Sequence, residues 1–325
     1  MLGVFLTPFG CARFDYFFVE KIQLLVLFLV IALFVYIAIK SRSFFALIVL
    51  FCSAAGGYLF HEVGYVDQLL WIFAAMAIGL LERNYLFLAA LLLCLSVLIH
   101  EMSVFTIVPI VLAYAVVRKK LDGIAYAKLL IPPVALFLVI SLFFQAVSFD
   151  TIKLYFENAM NCGSPIVRKE YFKHYLQPFR SESNVVYYSW QQFYMAILPI
   201  IVLACTLVLA IRKRLGLLRL QTLLILACCI SPLSLGLFVA DTSRWIFLGF
   251  AQVVIVSIIA SWALRRNGFR NTFPGIPFAI ALVLVGGLLQ LTYFDHFSPR
   301  TLSPDNLRAF PNYVVEQLFN LPRPL

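Results

Sequence analysis

Two histidine–glutamate pairs interrupt long apolar runs of this sequence, and both pairs could carry proton-transfer chemistry. His61 and Glu62 lie in the stretch LFHEVGYVD, and His100 and Glu101 lie in the stretch LIHEMS. A partly dry pocket can shift the pKa of a carboxyl or imidazole group toward neutrality, so that the group can take a proton from a hydroxyl. We therefore treat His100 and Glu101 as candidate catalytic residues, and His61 and Glu62 as candidate substrate-binding residues.

A third polar group joins an acid to an arginine three residues later. Asp241 and Arg244 lie in the stretch ADTSRW, between two apolar runs. Arginine binds phosphate oxygens in bidentate geometry, and Asp241 would orient Arg244 while adding a third candidate catalytic carboxylate. The alternative is a local ion pair at a helix start, with Trp245 at the membrane boundary. Arg168 and Arg180 are further candidates for binding an anionic group.

Sequence patterns for metal and nucleotide sites are missing. Neither His61 nor His100 begins an HExxH motif, and the chain has no phosphate-binding Gly-Lys-Ser loop and no Rossmann glycine pattern. The seven cysteines are scattered mostly within apolar runs without C-x-x-C spacing, which is typical of small buried side chains. We therefore predict that the protein uses no metal and no cofactor.

The composition places these groups in a membrane protein. Of 325 residues, 63% are apolar and 12% are charged, with a mean hydropathy of +0.97, whereas roughly a quarter of a soluble domain is charged. Apolar stretches of about 20 residues recur along the chain, and strand-length alternation does not. The sequence therefore predicts an all-α polytopic integral membrane protein with about ten transmembrane helices. The predicted helices are 22–39, 44–60, 66–81, 85–99, 102–117, 129–147, 194–211, 220–239, 246–264 and 276–293.

Basic residues cluster between the predicted helices and indicate the orientation. If the clusters near residues 40, 83, 118, 213 and 266 are cytoplasmic, the inner loops carry 14 of the 25 Lys and Arg residues but only two of the 15 acids. The positive-inside rule then places both termini outside. The net charge of +10 is therefore attributed to membrane orientation, and no nucleic-acid partner is predicted.

This topology gives a single transmembrane domain over residues 1–325 and gathers the candidate residues on its outer side. The apolar run 84–117 is too long for one helix across a core of about 30 Å, so it must be a hairpin with His100 and Glu101 at its outer tip. The long outer loop 148–193 contains two amphipathic patterns, typical of helices lying on a membrane surface. Residues 294–325 form an outer C-terminal tail.

Carboxylates, imidazoles and arginines beside a membrane suit the transfer of a sugar from a lipid diphosphate. Arginine would stabilise the charge of the leaving group, and Glu101 or His100 would deprotonate the acceptor hydroxyl. Two other classes stay open. One is a C-type glycosyltransferase or glycan ligase with a polyprenyl-linked donor, and the other is a non-catalytic subunit or inhibitor of a glycan-assembly complex. A transporter is disfavoured, because the charges lie near one surface and not at the bilayer midplane.

Residues 85–117 resemble a segment of the EpsG-like and Wzy-like bacterial polysaccharide polymerases, in which a histidine is followed closely by a serine and then by a proline. His100 and Ser103 match the histidine and the serine. The resemblance extends to the number of spans and to the large extracytoplasmic loop with basic residues.

The resemblance implies metal-independent polymerisation of polyprenyl-diphosphate-linked oligosaccharide repeat units into surface polysaccharide, such as an O-antigen. The reaction would take place on the outer face of the bacterial cytoplasmic membrane. The implied partners are the lipid-linked oligosaccharide, membrane lipid and other glycan-assembly proteins.

Overall fold

Ten α-helices make up almost all of the chain that the structure describes. The computed structural model describes residues 16–53, 66–119, 122–143, 193–236, 242–269, 274–291, 293–295 and 298–300. The helices are α1 (Tyr16–Ser41), α2 (Phe44–Cys52), α3 (Val66–Glu82), α4 (Leu86–Ile99), α5 (Ser103–Tyr114), α6 (Gly123–Phe143), α7 (Leu198–Leu215), α8 (Arg219–Leu235), α9 (Thr242–Arg266) and α10 (Ile276–Leu291). A π-helical turn, Ala115–Lys119, continues α5, and another, Phe193–Ile197, leads into α7. Two strands, β1 (Tyr293–Asp295) and β2 (Ser298–Arg300), pair antiparallel after α10.

Each predicted helix overlaps an observed one, so the helical class predicted from the sequence is confirmed. A clear difference in boundary occurs at α6, which was predicted to begin at residue 129 and begins at Gly123. It begins earlier because Asp122 caps it. The Asp122 carboxylate accepts a hydrogen bond from the backbone N–H of Ala125 at 2.7 Å, which satisfies a donor that the first helical turn leaves without a partner.

Three helices in the described residues are long and apolar enough to cross a membrane. They comprise Gly123–Leu142 of α6, Phe193–Leu215 of α7 with its preceding turn, and Arg244–Arg266 of α9. At 1.5 Å per residue these segments measure about 30–35 Å, which matches the hydrocarbon core of a bilayer. Large apolar side chains also lie on the outside of the bundle, where Phe87 and Ile276 are 79% and 77% exposed. The described helices are therefore those of a membrane protein.

Helix α9 lies at the centre of the bundle. Nearly all side chains of residues 245–264 are buried, and the helix packs against α1, α2, α5, α7 and α8. Gly249 allows α8 to approach closely, since a Cβ atom at this position would lie 2.8 Å from Leu233 Cδ2. Small residues at such contacts are typical of helix packing in membranes, where van der Waals contact contributes much of the association energy.

Contacts between helices establish the direction of α5, α8 and α9. Ser231 of α8 contacts the backbone of Phe105 near the start of α5, whereas Cys228 contacts the backbone of Ala113 near its end. Helix α8 is therefore antiparallel to α5. Helices α8 and α9 are joined by residues 236–241 and pack against each other, so α9 begins where α8 ends. The starts of α5 and α9 share one end of the bundle, which we call the tip end. Their C-terminal ends share the opposite end, which we call the basic end.

Candidate functional site

A tight turn at the tip end joins α4 to α5 and carries His100 and Glu101, the histidine–glutamate pair that lies within the described residues. The backbone of His100 is extended and its N–H donates to the Ser96 carbonyl at 3.0 Å, which ends α4. The buried hydroxyl of Ser103 lies 2.8 Å from the Ser96 carbonyl and 2.7 Å from the His100 carbonyl. Both carbonyls also accept a backbone N–H, that of His100 and that of Ser103, so the hydroxyl adds a side-chain hydrogen bond between the end of α4 and the start of α5. Ser103 therefore holds the hairpin tip that the sequence predicts.

His100 and Glu101 contact each other at this tip. His100 Nδ1 lies 3.7 Å from Glu101 Oε2, and the two side chains are 21% and 38% exposed. The backbone N–H of Met102 donates to His100 Nδ1 at 3.3 Å, so the neutral ring carries its proton on Nε2 in this arrangement. A shift of that proton to Nδ1 would direct it toward the Glu101 carboxylate and free Nε2 to act as a base. The pair thus has the composition of a base oriented by an acid.

Arg244 lies in the first turn of α9, at the same end of the bundle as the His100 turn. Its side chain is buried, with 8% of its surface exposed, and its guanidinium carbon lies 5.0 Å from the centroid of the Trp245 ring. Trp245 is itself 2% exposed, so its ring packs inside the bundle and does not face the lipid headgroups as the alternative interpretation expected. Within the described residues Glu101 pairs with His100 and not with Arg244. A buried guanidinium interacts strongly with an anion because the surrounding dielectric is low.

The other candidate residues lie outside the part of the chain that the structure describes. These are His61, Glu62, Arg168, Arg180 and Asp241, together with the predicted amphipathic helices of residues 148–193. Among the described residues, no three histidine, cysteine, aspartate or glutamate side chains come together as a group that could hold a metal ion.

Pro109, inside α5, creates a polar contact that fixes the tip end. Proline has no N–H, so the carbonyl four residues earlier, that of Phe105, loses its helical hydrogen bond. The hydroxyl of Ser231 on α8 donates to this carbonyl at 2.8 Å. A neighbouring helix therefore supplies the hydrogen bond that the proline removes, as membrane helices require.

Pro232 has the same effect on α8, which continues through this proline to Leu235. The carbonyl freed by Pro232 is that of Cys228, and the buried side-chain amide of Gln252 on α9 donates to it. The same amide nitrogen lies 2.9 Å from the Ser231 hydroxyl. We call these linked contacts the proline-paired hydrogen bonds. They join α5, α8 and α9, and so fix the His100 turn relative to the helix that carries Arg244.

A second charged group, which we call the Glu82 cluster, lies at the basic end. The Glu82 carboxylate accepts hydrogen bonds from the Tyr114 hydroxyl and from Arg266, the latter at 2.9 Å, and lies 3.5 Å from Arg118 Nε. The Arg266 guanidinium carbon is also 5.5 Å from the centroid of the Trp262 ring. Burial raises the pKa of Glu82, but these donors and positive charges outweigh it and hold the pKa below its ordinary value.

The Glu82 cluster was not among the sequence-based candidates. It joins the ends of α3, α5 and α9, and Arg265 adds α1 by donating to the Lys40 carbonyl. A signal was present in the sequence, because Glu82 is one of two acids among many cations in the predicted inner loops. Which cations it would pair with depends on how α3, α5 and α9 pack.

No protein-family model, no functionally characterised protein and no solved structure matches the chain.

Proposed function

We propose that the protein polymerises polyprenyl-diphosphate-linked oligosaccharide repeat units into surface polysaccharide, at the outer face of a bacterial cytoplasmic membrane. In this proposal all ten helices cross or enter the bilayer, both termini lie outside, and the tip end faces outward. The observation that carries the proposal is a partly exposed imidazole–carboxylate pair at the same end of the bundle as a buried arginine.

The histidine–glutamate pair and the buried arginine fit the two charged species that the reaction produces, a proton and a diphosphate. The acceptor sugar loses a proton, which His100 can take on Nε2 once its own ring proton has moved to Nδ1. The Glu101 carboxylate, 3.7 Å from Nδ1, then stabilises the resulting imidazolium. The donor loses a polyprenyl diphosphate, whose negative charge Arg244 would stabilise in a site of low dielectric. The bond formed is the new glycosidic bond, and the bond broken joins the sugar anomeric carbon to the diphosphate oxygen.

The lipid nature of the donor gives a reason for the position of the site. A polyprenyl chain stays in the hydrocarbon core, so its diphosphate is confined near one membrane boundary. The His100 turn lies where α4 and α5 meet at one end of the bundle, and Arg244 lies in the first turn of α9 at the same end. Both groups would therefore lie at the depth of the diphosphate.

A non-catalytic role in glycan assembly is favoured by a different observation. His100 Nδ1 accepts the Met102 N–H, so the ring also helps to form the turn. In such a subunit the polar tip would only fix the hairpin, and neutral substitutions at Glu101 and Arg244 would preserve function.

The experiment that tests the proposal compares the surface glycan made by Glu101→Gln and Arg244→Ala with that made by the unaltered protein. Each variant is expressed in a host that lacks the protein, and the glycan is separated on a gel. Replacing the acid that orients a catalytic histidine by its amide lowers a rate by up to about 10⁴-fold, and loss of a group that stabilises transition-state charge lowers it by about 10²–10³-fold. The ladder of polymer lengths should therefore collapse to a band with a single repeat unit.

Arg83→Ala is the matched control for Arg244→Ala, because Arg83 is an exposed arginine at the end of α3, where the Glu82 cluster lies. It should leave the ladder intact at equal membrane levels. An unchanged ladder in the Glu101 and Arg244 variants, or a host glycan that does not depend on this protein, would refute polymerase activity.

A further inference from the structure

We propose that the turn between α7 and α8 is a binding site for the headgroup of an anionic phospholipid. The site lies at the basic end, opposite the His100 turn, and is independent of the polymerase proposal. Its components are a small groove, two cations, Arg212 and Lys213, that pair with no acid among the described residues, and adjacent exposed leucines.

The turn has a fixed backbone. Gly216 adopts a left-handed conformation with φ of 62°, and the N–H groups of Gly216 and Leu217 both donate to the Arg212 carbonyl. This capping arrangement positions the last turn of α7 beside a groove with a volume of about 480 Å³. The groove is lined by Leu209, Arg212, Lys213, Gly216 and Leu217. Two cations and two leucines therefore share one concave surface.

The positive charge of this turn is larger than the charge needed to offset the dipole of α7. Arg212, Lys213 and Arg214 occupy the last turn of α7, and Arg219 begins α8. The negative end of a helix dipole amounts to about half a charge, so one of these cations would be more than sufficient to offset it. The segment 193–236 contains no aspartate or glutamate. The turn is therefore a concentrated source of positive potential.

The arginines of the Glu82 cluster, at the same end of the bundle, differ from the cations of this turn because they have an acidic partner. Arg118 and Arg266 are both paired with Glu82. In the part of the chain that the structure describes, neither Arg212 nor Lys213 forms an ion pair with a side chain, and both are exposed. An external anion can therefore bind to this pair without displacing a partner from any described residue.

The surroundings favour a lipid over a soluble anion. The helix that ends here, with its preceding π turn, is one of the three that are long enough to cross a membrane, so its basic end reaches a membrane boundary. Leu209, Leu218 and Leu220 are 66%, 69% and 68% exposed around the turn. A phospholipid places its phosphate against cations and its acyl chains against such leucines in one binding event. A soluble phosphate would make the first contact only.

The test uses the full-length protein in phosphatidylcholine nanodiscs with or without phosphatidylglycerol. Lipids retained by the protein are counted by native mass spectrometry, and their affinity is measured with a spin-labelled phosphatidylglycerol. Each Lys or Arg near an anionic headgroup contributes about fivefold to binding. Arg212→Gln with Lys213→Gln should therefore weaken phosphatidylglycerol binding about 30-fold, whereas Arg212→Lys with Lys213→Arg should retain it.

Arg83→Gln with Lys128→Gln is the matched control, since it removes two exposed cations from other predicted inner positions. This control should bind phosphatidylglycerol as the unaltered protein does. An equal loss of binding in the control would overturn the proposal, because the effect would then come from overall charge. Inorganic phosphate that displaces the spin-labelled lipid at similar concentration would also overturn it, by assigning the groove to free anions. Thermal unfolding of each variant in phosphatidylcholine alone should match that of the unaltered protein.

Discussion

Ser231→Ala tests whether Pro109 and Ser231 form a matched pair. In the native protein the Ser231 hydroxyl supplies the hydrogen bond that the Phe105 carbonyl lost to Pro109. If the two residues are matched, Ser231 stabilises the protein because Pro109 leaves the Phe105 carbonyl without its helical partner. Pro109→Ala would restore a backbone N–H to α5, and the Phe105 carbonyl would regain its helical partner. In the Pro109→Ala background, Ser231→Ala should then lower the free energy of unfolding by less.

The magnitude follows from the bonds that each variant loses. Ser231→Ala removes the bond to the Phe105 carbonyl and the acceptor of the Gln252 amide. Hydrogen bonds between membrane helices contribute about 0.6 kcal/mol on average and up to about 1.7 kcal/mol. We therefore expect the substitution to lower the free energy of unfolding by about 1–2 kcal/mol in the native background. In the Pro109→Ala background the Phe105 carbonyl keeps its helical partner when the serine is removed, so the loss of stability should fall by about half.

The assay is a double-mutant cycle on unfolding in mixed micelles, followed by the fluorescence of the four tryptophans. Ser257→Ala is the matched control, because the buried Ser257 hydroxyl donates to Val254 within α9. Its cost should be the same with Pro109 or Ala at position 109. Ser231 and Pro109 are not a matched pair if Ser231→Ala lowers the free energy of unfolding equally in both backgrounds, or if Ser257→Ala shows equal coupling to Pro109.

Further measurements address the basic end and the centre of the bundle. Glu82→Gln should lower the free energy of unfolding by roughly 1–2 kcal/mol in the same assay, a modest cost because Arg266 is partly exposed. Since the pKa of Glu82 is lowered in the folded protein, its contribution is complete above the ordinary value of 4.5 and is lost as pH falls further. As the pH is lowered below 4.5, the free energy of unfolding should therefore fall less for Glu82→Gln than for the unaltered protein. An equal dependence on pH in the two proteins would contradict this. Gly249→Val should cost roughly 1–3 kcal/mol by forcing Leu233 aside, whereas Gly79→Val, with open space around it, should cost less. Equal costs for the two glycines would show that packing at Gly249 is not tight.

Much of the helical framework could be predicted because it depends on local chemistry. An apolar stretch of about 20 residues bounded by charged or turn-forming residues forms a helix in a membrane, because a helix satisfies the backbone hydrogen bonds within the segment itself. The hairpin around His100 followed from the length of the run between Arg83 and Arg118, and the structure places the turn at residues 100–102. The predicted start of α6 lies six residues too far along the chain, because the helix is capped by a single hydrogen bond from Ala125 to Asp122 that hydropathy does not indicate.

The sequence by itself determined the helical class of the protein, the approximate positions of the helices that the structure describes and the position of the His100 tip, since hydropathy and charge act residue by residue. Only the tertiary structure decided which helix is central, that Trp245 and Arg244 are buried, and that Glu82 joins two arginines distant in the chain. It also paired Ser231 and Gln252 with carbonyls freed by prolines on neighbouring helices. These contacts depend on the relative rotation and direction of helices far apart in sequence. That arrangement is set by the packing of many side chains at once, and no short motif encodes it.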